Sequence, residues 1–396
     1  MFLPLLLLTS ATFAAAVVAY GTHPGWAQLR FGVGIIVFAR HLQWPLVAVS
    51  LVLCLVLIGL VVSGKRRAWW LIGLGPVLAL FVHRFHSDPL RGYAIIDEPT
   101  FASSQQVDFL SDGDFVVGLT FNGVHYAYPY VALYRAPVVF QSDHDRRMLL
   151  MWSAFANRAI AYEVTRELRA RDFEVVSIPA DALLLYNRRY GQFVNALTGR
   201  RHNGQAPSGF LEPVATRKAT WREWRNAHPE TRVLTLPGVE LRGQLPNGPL
   251  LPFFPKPRVR SAGGAAIDPN AWVTMVGEAE PVAIPTGLSL KGPIEAYVDG
   301  APAVVFRDPV SGRVRAFDRR VGELSPSFIL YNDPKRRARV LVDTHTETRW
   351  SLAGVALEGP LAKQPNRLAA LPVDELLFYS VMKTWYPALE LVISPQ

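Results

Sequence analysis

The sequence predicts an α+β protein: a three-helix N-terminal membrane anchor followed by a β-rich exported region of two related lobes. Three observations carry that prediction. The first 87 residues contain no Asp or Glu and hold three apolar runs around one tight basic cluster. The remainder alternates strand-like runs with turn signals. Short motifs of its first half return, in the same order, in its second.

Phe2–Tyr20 carries no charged side chain and is long enough to cross a bilayer as a helix. Trp44–Val62 is a second such run, and Trp69–Val82 is a shorter third that needs its flanks. The expected spans are therefore about 2–20, 44–62 and 69–85. Lys65, Arg66 and Arg67 lie between the second and third. The positive-inside rule places them in the cytoplasm, against anionic lipid headgroups. The chain from about Asp88 onward then lies outside, which predicts a multi-pass inner-membrane protein with a large periplasmic C-terminal domain. The first run lacks a basic n-region, and Ala14-Ala15-Ala16 is only a weak cleavage site, so an uncleaved anchor is expected. Cleavage would leave the topology unchanged. Phe31–Phe38 is too short to span, and either lies in the interface or extends the helix hairpin. Trp26, Trp44, Trp69 and Trp70 stand where an aromatic belt forms.

The net charge of +9 and the pI near 9.7 invite a nucleic-acid reading, but the distribution argues against one. Arg30, Arg40, Lys65, Arg66, Arg67 and Arg84 precede the first acid, Asp88. From Asp88 on the balance is only +3, with no basic stripe carrying interleaved aromatics. Cys54 is the only cysteine, and it lies in the second span. An intramolecular disulfide, a redox Cys pair and a Cys-based zinc site are thereby excluded.

Four regions are expected: the anchor 1–87, a first lobe 88–235, a Pro/Gly-rich linker or arm 236–270 and a second lobe 271–396. In the first lobe, Val116–Phe121 and Val124–Tyr128 flank Asn122-Gly123, a strong hairpin signal. Met148–Val164 reads as another hairpin. Thr220–His228 reads as a short helix with Thr220 as N-cap and Glu223 at its third position, ended with the help of Pro229. In the second lobe, Ala303–Phe306 and Val314–Phe317 read as strands around the turn Arg307–Arg313. Four pairs of segments keep their order at nearly constant separation, which points to a duplication. Val117-Gly118 with Ala127-Tyr128-Pro129 matches Val276-Gly277 with Ala283-Ile284-Pro285. Ala159–Glu163 matches Val314–Asp318, Leu197-Thr198-Gly199 matches Leu352-Ala353-Gly354, and Trp221–Pro229 matches Tyr379–Pro387.

From about Ile95 to the C-terminus the chain resembles the domain-of-unknown-function family numbered 3179, whose members are typically exported. The resemblance is carried by Val117–Gly123 with Ala127-Tyr128-Pro129, by Leu184–Asn187 and by Ala219–Thr231. Val304–Pro309 and Gly359–Ala362 add to it. It implies Trp-His-Glu soon after the Ala-Tyr-Pro strand, where this chain has Arg135-Ala136-Pro137. It also implies a Tyr-Cys-Pro-Leu-Cys-Gly run, where this chain reads Trp152–Asn157. Ser153 and Ala156 thus replace both cysteines, and Ala136 and Pro137 replace the His-Glu pair. The resemblance makes that place the family's candidate for metal or thiol chemistry. On the same resemblance this chain is an inactive copy of it, used for binding or assembly, with the place filled by Trp152, Phe155 and Phe140.

Other candidates have ordinary explanations. Asp143-His144-Asp145 reads as a solvated turn. His83 and His86, three apart at the exit of the third span and near Asp88, share a helix face. That spacing suits a metal, a quinone headgroup or a porphyrin, although interfacial anchoring is the commoner use. His228 reads as a helix-end residue, and Trp221 and Trp224 as core. Ser153 lacks the G-x-S-x-G elbow. No Walker A loop, dinucleotide fingerprint or HExxH helix is present.

Without a catalytic residue, metal site or cofactor to name, the sequence reads as a non-catalytic membrane-anchored scaffold or accessory subunit. Its expected partner is an integral membrane protein complex, and location alone favours a respiratory or photosynthetic host. Three spans exceed what tethering requires. Gly32, Gly34, Gly59, Gly73 and Gly75 permit close helix approach. The alternative is a cell-envelope enzyme or ligand- or metal-binding protein with a site between the lobes.

Overall fold

The computed structural model describes residues 2–29, 31–87, 93–239, 241, 246, 248–251, 259–260, 266–268, 270–286, 292–363 and 366–392. Asp88 and most of the arm 236–270 lie outside the described residues. The chain forms two compact units, Met1–Leu250 and Leu251–Gln396.

The first unit begins with the helices α1 (Phe2–Tyr20), α2 (Gly32–Val62) and α3 (Leu74–Val82). A 3₁₀ turn, Ala68–Gly73, leads into α3, and a π turn, His83–Ser87, follows it. Phe2–Tyr20, Gly32–Val62 and Ala68–His86 are each long and apolar enough to cross a membrane. Small residues let them approach. Ala11 and Ala15 of α1 pack with Val77 of α3 and Leu53 of α2, and buried Ser50 donates to the Ala11 carbonyl at 3.1 Å. Lys65, Arg66 and Arg67 are exposed at the turn beyond α2.

The second helix starts at Gly32, twelve residues before the apolar run at Trp44. Segment 31–38 therefore extends the helix. At 1.5 Å per residue its 31 residues reach about 46 Å, against a hydrocarbon core of about 30 Å. The excess is the polar end, where Ile36, Ala39, Arg40 and Gln43 are buried. Ile36 packs among Val176, Leu184 and Phe193 of the β lobe. Arg40 donates to Glu174 at 2.6 Å, and Ser177 Oγ donates to the Thr22 carbonyl at 2.7 Å. The lobe is thus seated on the helices through an apolar contact, an ion pair and a hydrogen bond.

That lobe contains β1 (Ile95–Asp97), β2 (Thr100–Ser103), β3 (Phe115–Phe121), β4 (Val124–Pro129), the turn of helix α4 (Tyr130–Leu133), β5 (Val138–Asp143), β6 (Arg146–Ser153) and β7 (Arg158–Val164). There follow β8 (Phe173–Ser177), β9 (Leu184–Asn187), β10 (Gln192–Asn195), β11 (Phe210–Val214), β12 (Thr216–Thr220), α5 (Trp221–Ala227) and β13 (Arg232–Thr235). They form three sheets ordered β1-β5-β6-β7-β11, β10-β9-β8 and β12-β3-β4-β13-β2. The Asn122-Gly123 hairpin forms with both residues at positive φ. Helix α5 has the full capping box between Thr220 and Glu223. Trp221 and Trp224 are buried, the latter against Gly118, where a Cβ would lie 2.4 Å from the indole.

The second unit contains β14 (Val259–Arg260), β15 (Ala266–Ile267), β16 (Trp272–Val276), β17 (Val282–Pro285), β18 (Ile294–Val298), β19 (Ala301–Arg307) and β20 (Val314–Asp318). Next come β21 (Phe328–Asp333), β22 (Ala338–Asp343), β23 (Arg349–Trp350), β24 (Ala356–Glu358), β25 (Val373–Phe378), α6 (Tyr379–Trp385) and β26 (Glu390–Leu391). Among the described residues its sheets include β25-β16-β17-β26, the meander β18-β19-β20 and β21-β22-β23-β24.

The two units share a topology. In the first, Val116 faces Pro129, Thr220 faces Phe115, and parallel β13 sets Val233 beside Ala127. In the second, Val273 faces Pro285, Phe378 faces Trp272, and parallel β26 sets Leu391 beside Ala283. A helix follows the matching strand in each, α5 after β12 and α6 after β25. The meanders agree in register: Leu150 faces Ala161, and Val305 faces Ala316, both members shifted by 155. Gly199 and Gly354, also 155 apart, both have positive φ and lie against the matching rings of Tyr162 and Phe317. One sequence match slips: with Pro129 set on Pro285, Val276 corresponds to Leu119, not Val117. The first hairpin is longer, turning at Asn122-Gly123, whereas the second leaves its sheet at Gly277.

Candidate functional site

The end of the β5–β6 ladder sets Ala136 and Pro137 beside Ser153, three of the four positions that the resemblance singles out. Trp152 N–H donates to the Pro137 carbonyl at 2.8 Å, so Ala136-Pro137 runs beside Trp152-Ser153. Pro137 and Ser153 line a cavity of about 70 Å³ with Trp152, Phe155, Asp181 and Tyr93. Ala136 and Ala156 are buried. The indole of Trp152 is wedged between Tyr130 and Tyr134, 4.8 Å from each ring centroid. Phe140 packs elsewhere, on Phe173 of the neighbouring apolar cluster. Ser153 Oγ accepts the Leu183 N–H at 3.0 Å, which engages it structurally. On the far wall, Ala180 and Asp181 hold left-handed backbone, a conformation costing about 1–3 kcal/mol per residue. Asp181 is fully buried. Burial raises the Tyr93 and Tyr134 hydroxyls above the ordinary phenol range, and Tyr134 donates to the Gly248 carbonyl at 2.6 Å.

The helical pair His83 and His86 sits on the π turn. The His83 ring lies 5.3 Å from Tyr20, and His86 is exposed. Among the described residues no group of three or more His, Cys, Asp or Glu side chains is arranged to hold a metal. Asp143 and Asp145 flank the β5–β6 turn, with exposed His144 at its positive-φ corner. His228 caps α5, and its ring lies 3.9 Å from that of His125 and 4.3 Å from Trp224. Desolvation, with the nearby His125 and Arg217, lowers its pKa.

One concavity among the described residues was not anticipated from the sequence. It is a cleft of about 760 Å³ where the polar end of α2, the π turn and strands β8 and β9 meet. Among the described residues, Arg40, Arg84 and Arg188 line it together with one carboxylate, Glu174. Glu174 accepts from Arg40 at 2.6 Å and from Arg188 at 2.8 Å. Burial would raise its pKa, but these two guanidinium donors outweigh burial and lower it. Arg84 donates to buried Gln43 at 3.4 Å, and Arg40 stacks 4.9 Å over Tyr186. Trp44 and Phe85, stacked at 6.0 Å, form the edge nearest the apolar part of the helices. The available sequence signal was a set of polar residues, Arg40, His41, Gln43 and Arg84, at one end of two spans.

Residues 94–387 match the family described as a protein of unknown function, DUF3179. No curated protein and no solved structure matches the chain.

Proposed function

The chain belongs to the DUF3179 family, and we propose that it serves as a non-catalytic membrane-anchored scaffold or accessory subunit docking on the extracytoplasmic face of a larger membrane complex. The observation that carries this reading is the chemistry of the replaced positions. Ala136 and Ala156 offer no donor atom, and the Ser153 hydroxyl is tied to the backbone of Leu183. The spans supply a second support. Few residues of α2 and α3 are buried, many of their apolar side chains are exposed, and a Cβ at Gly59 or Gly75 would meet nothing within 4 Å. Such surface suits lipid or a neighbouring helix. In this reading Lys65–Arg67 are cytoplasmic and both β lobes are periplasmic. Respiratory and photosynthetic complexes are the hosts that the location favours.

The test pairs two substitutions in the full chain. Ser153→Ala is expected to leave growth and partner recovery unchanged. Gly59→Leu, which fills open space on α2, is expected to leave the fold intact and reduce partner recovery from mild detergent. Loss of a measured activity with Ser153→Ala, or full recovery with Gly59→Leu and with the matching Gly75→Leu, would overturn the reading.

A second reading draws on one observation. Buried Asp181, in left-handed backbone beside Ser153, is the kind of strained feature that collects at functional sites. It favours a small-ligand or enzymatic site in the cell envelope. Stoichiometric ligand or metal in the purified protein, lost on Asp181→Asn, would establish that reading instead.

A further inference from the structure

The cleft between the polar end of α2 and the first lobe has the composition of an anion site placed at headgroup depth. Among the described residues its wall carries three guanidinium groups and one carboxylate. That carboxylate is shared between Arg40 and Arg188. The site is built rather than incidental. Arg40 is nine-tenths buried, held at one end by Glu174, and its Nε has no partner among the described residues. Arg84 is buried beside Gln43. Planar guanidinium forks suit phosphate oxygens better than any other side chain does.

The other wall decides the class of ligand. Trp44 begins the apolar run of α2 and is 62% exposed, and it stacks on Phe85. Below it, Leu51, Val52, Leu78 and Val82 are exposed apolar side chains of α2 and α3. A ligand filling the cleft therefore meets cations at one end and hydrocarbon-facing aromatics at the other. A volume of about 760 Å³ lies in the range of organic ligand sites and is far larger than an inorganic phosphate requires.

We propose that this cleft binds the headgroup of an anionic phospholipid, with Arg84 and Arg188 on the phosphate and Trp44 and Phe85 flanking the first methylenes of the chains. Arg40 holds the floor through Glu174. The inference needs only that the three spans sit in a bilayer. It does not depend on the scaffold reading, since a lone protein can carry the lipid and a partnered one can lack it.

The test uses the full chain purified in mild detergent. Organic extraction and mass analysis are expected to find one tightly held anionic phospholipid per chain. After delipidation, nanodiscs containing phosphatidylglycerol should raise the thermal midpoint above that in phosphatidylcholine alone, and inorganic phosphate should not. Arg84→Gln with Arg188→Gln should weaken lipid retention at least about tenfold, a loss of about 1.4 kcal/mol. Arg166→Gln, a solvent-exposed arginine outside the cleft, should not. Arg188 is 55% exposed, so Arg188→Gln alone gives a folded variant should the double one misfold. Equal stabilisation by both lipids, reproduction of the effect by inorganic phosphate, or undiminished retention in the arginine variants would each overturn the proposal.

Discussion

Glu174→Gln is the sharpest perturbation of the seat between the first lobe and the helices. It removes the carboxylate from Arg40, whose side chain is 9% exposed, while Glu174 itself is 23% exposed. Stripping one partner from a fully buried pair costs about 3–5 kcal/mol. The cleft admits some water, which sets the expected cost lower, at about 2 kcal/mol. Arg188 is half exposed and returns to solvent at little cost. The loss falls on local opening of the seat, so the direct assay is hydrogen exchange at amides 33–43 of α2 and 173–177 of β8. A cost of about 2 kcal/mol corresponds to roughly thirtyfold faster exchange. Replacing both partners, Arg40→Met with Glu174→Met, should restore most of the protection, because an apolar pair carries no desolvation penalty. Acidity should mimic the single variant. The folded pKa of Glu174 is lowered, so its contribution is complete above the ordinary carboxylate pKa of about 4.3 and is lost as the pH falls through the folded value. The variant should lack that step. Unchanged exchange in Glu174→Gln, or a double variant as open as the single, would refute the idea that this ion pair holds the lobe.

Further outcomes follow from the lobes themselves. Gly118→Ala sets a methyl 2.4 Å from the Trp224 ring, and should destabilise the first lobe by about 1–3 kcal/mol in thermal unfolding. Thr220→Ala breaks the capping box of α5 and should cost about 1 kcal/mol by the same measurement. His228 has a lowered pKa, so the unfolded chain binds its proton first. First-lobe stability should therefore be complete above about pH 6.5 and fall below it, and His228→Gln should flatten that slope.

Much of the fold is legible in the sequence because its signals are local. Asn122-Gly123 needs only its own backbone to specify a hairpin, and Thr220 and Glu223 meet within one helical turn. The duplication is legible because Gly199 and Gly354 solve the same problem twice, a left-handed corner under an aromatic ring. What escaped is non-local. Arg40 and Gln43 interrupt an apolar pattern and so read as the end of a span. Their partners lie in Glu174, 134 residues on, and in Arg84. The helix continues through them because the lobe provides what the bilayer cannot. The cleft escaped for the same reason, since its walls come from five separate stretches of chain. Ala136, Pro137, Ser153 and Ala156 are singled out in the sequence only by resemblance, and their surroundings are not legible there. Phe140 faces another cluster, while Asp181 and Tyr93 reach the cavity from distant segments.

We propose that this chain works by assembly rather than by chemistry of its own. The most direct test is the composition of the full chain drawn from its native membrane in mild detergent, read by native mass and elemental analysis together. The account predicts a stable complex with at least one other integral membrane protein, at fixed stoichiometry. A monodisperse lone chain carrying a stoichiometric metal or cofactor would contradict it.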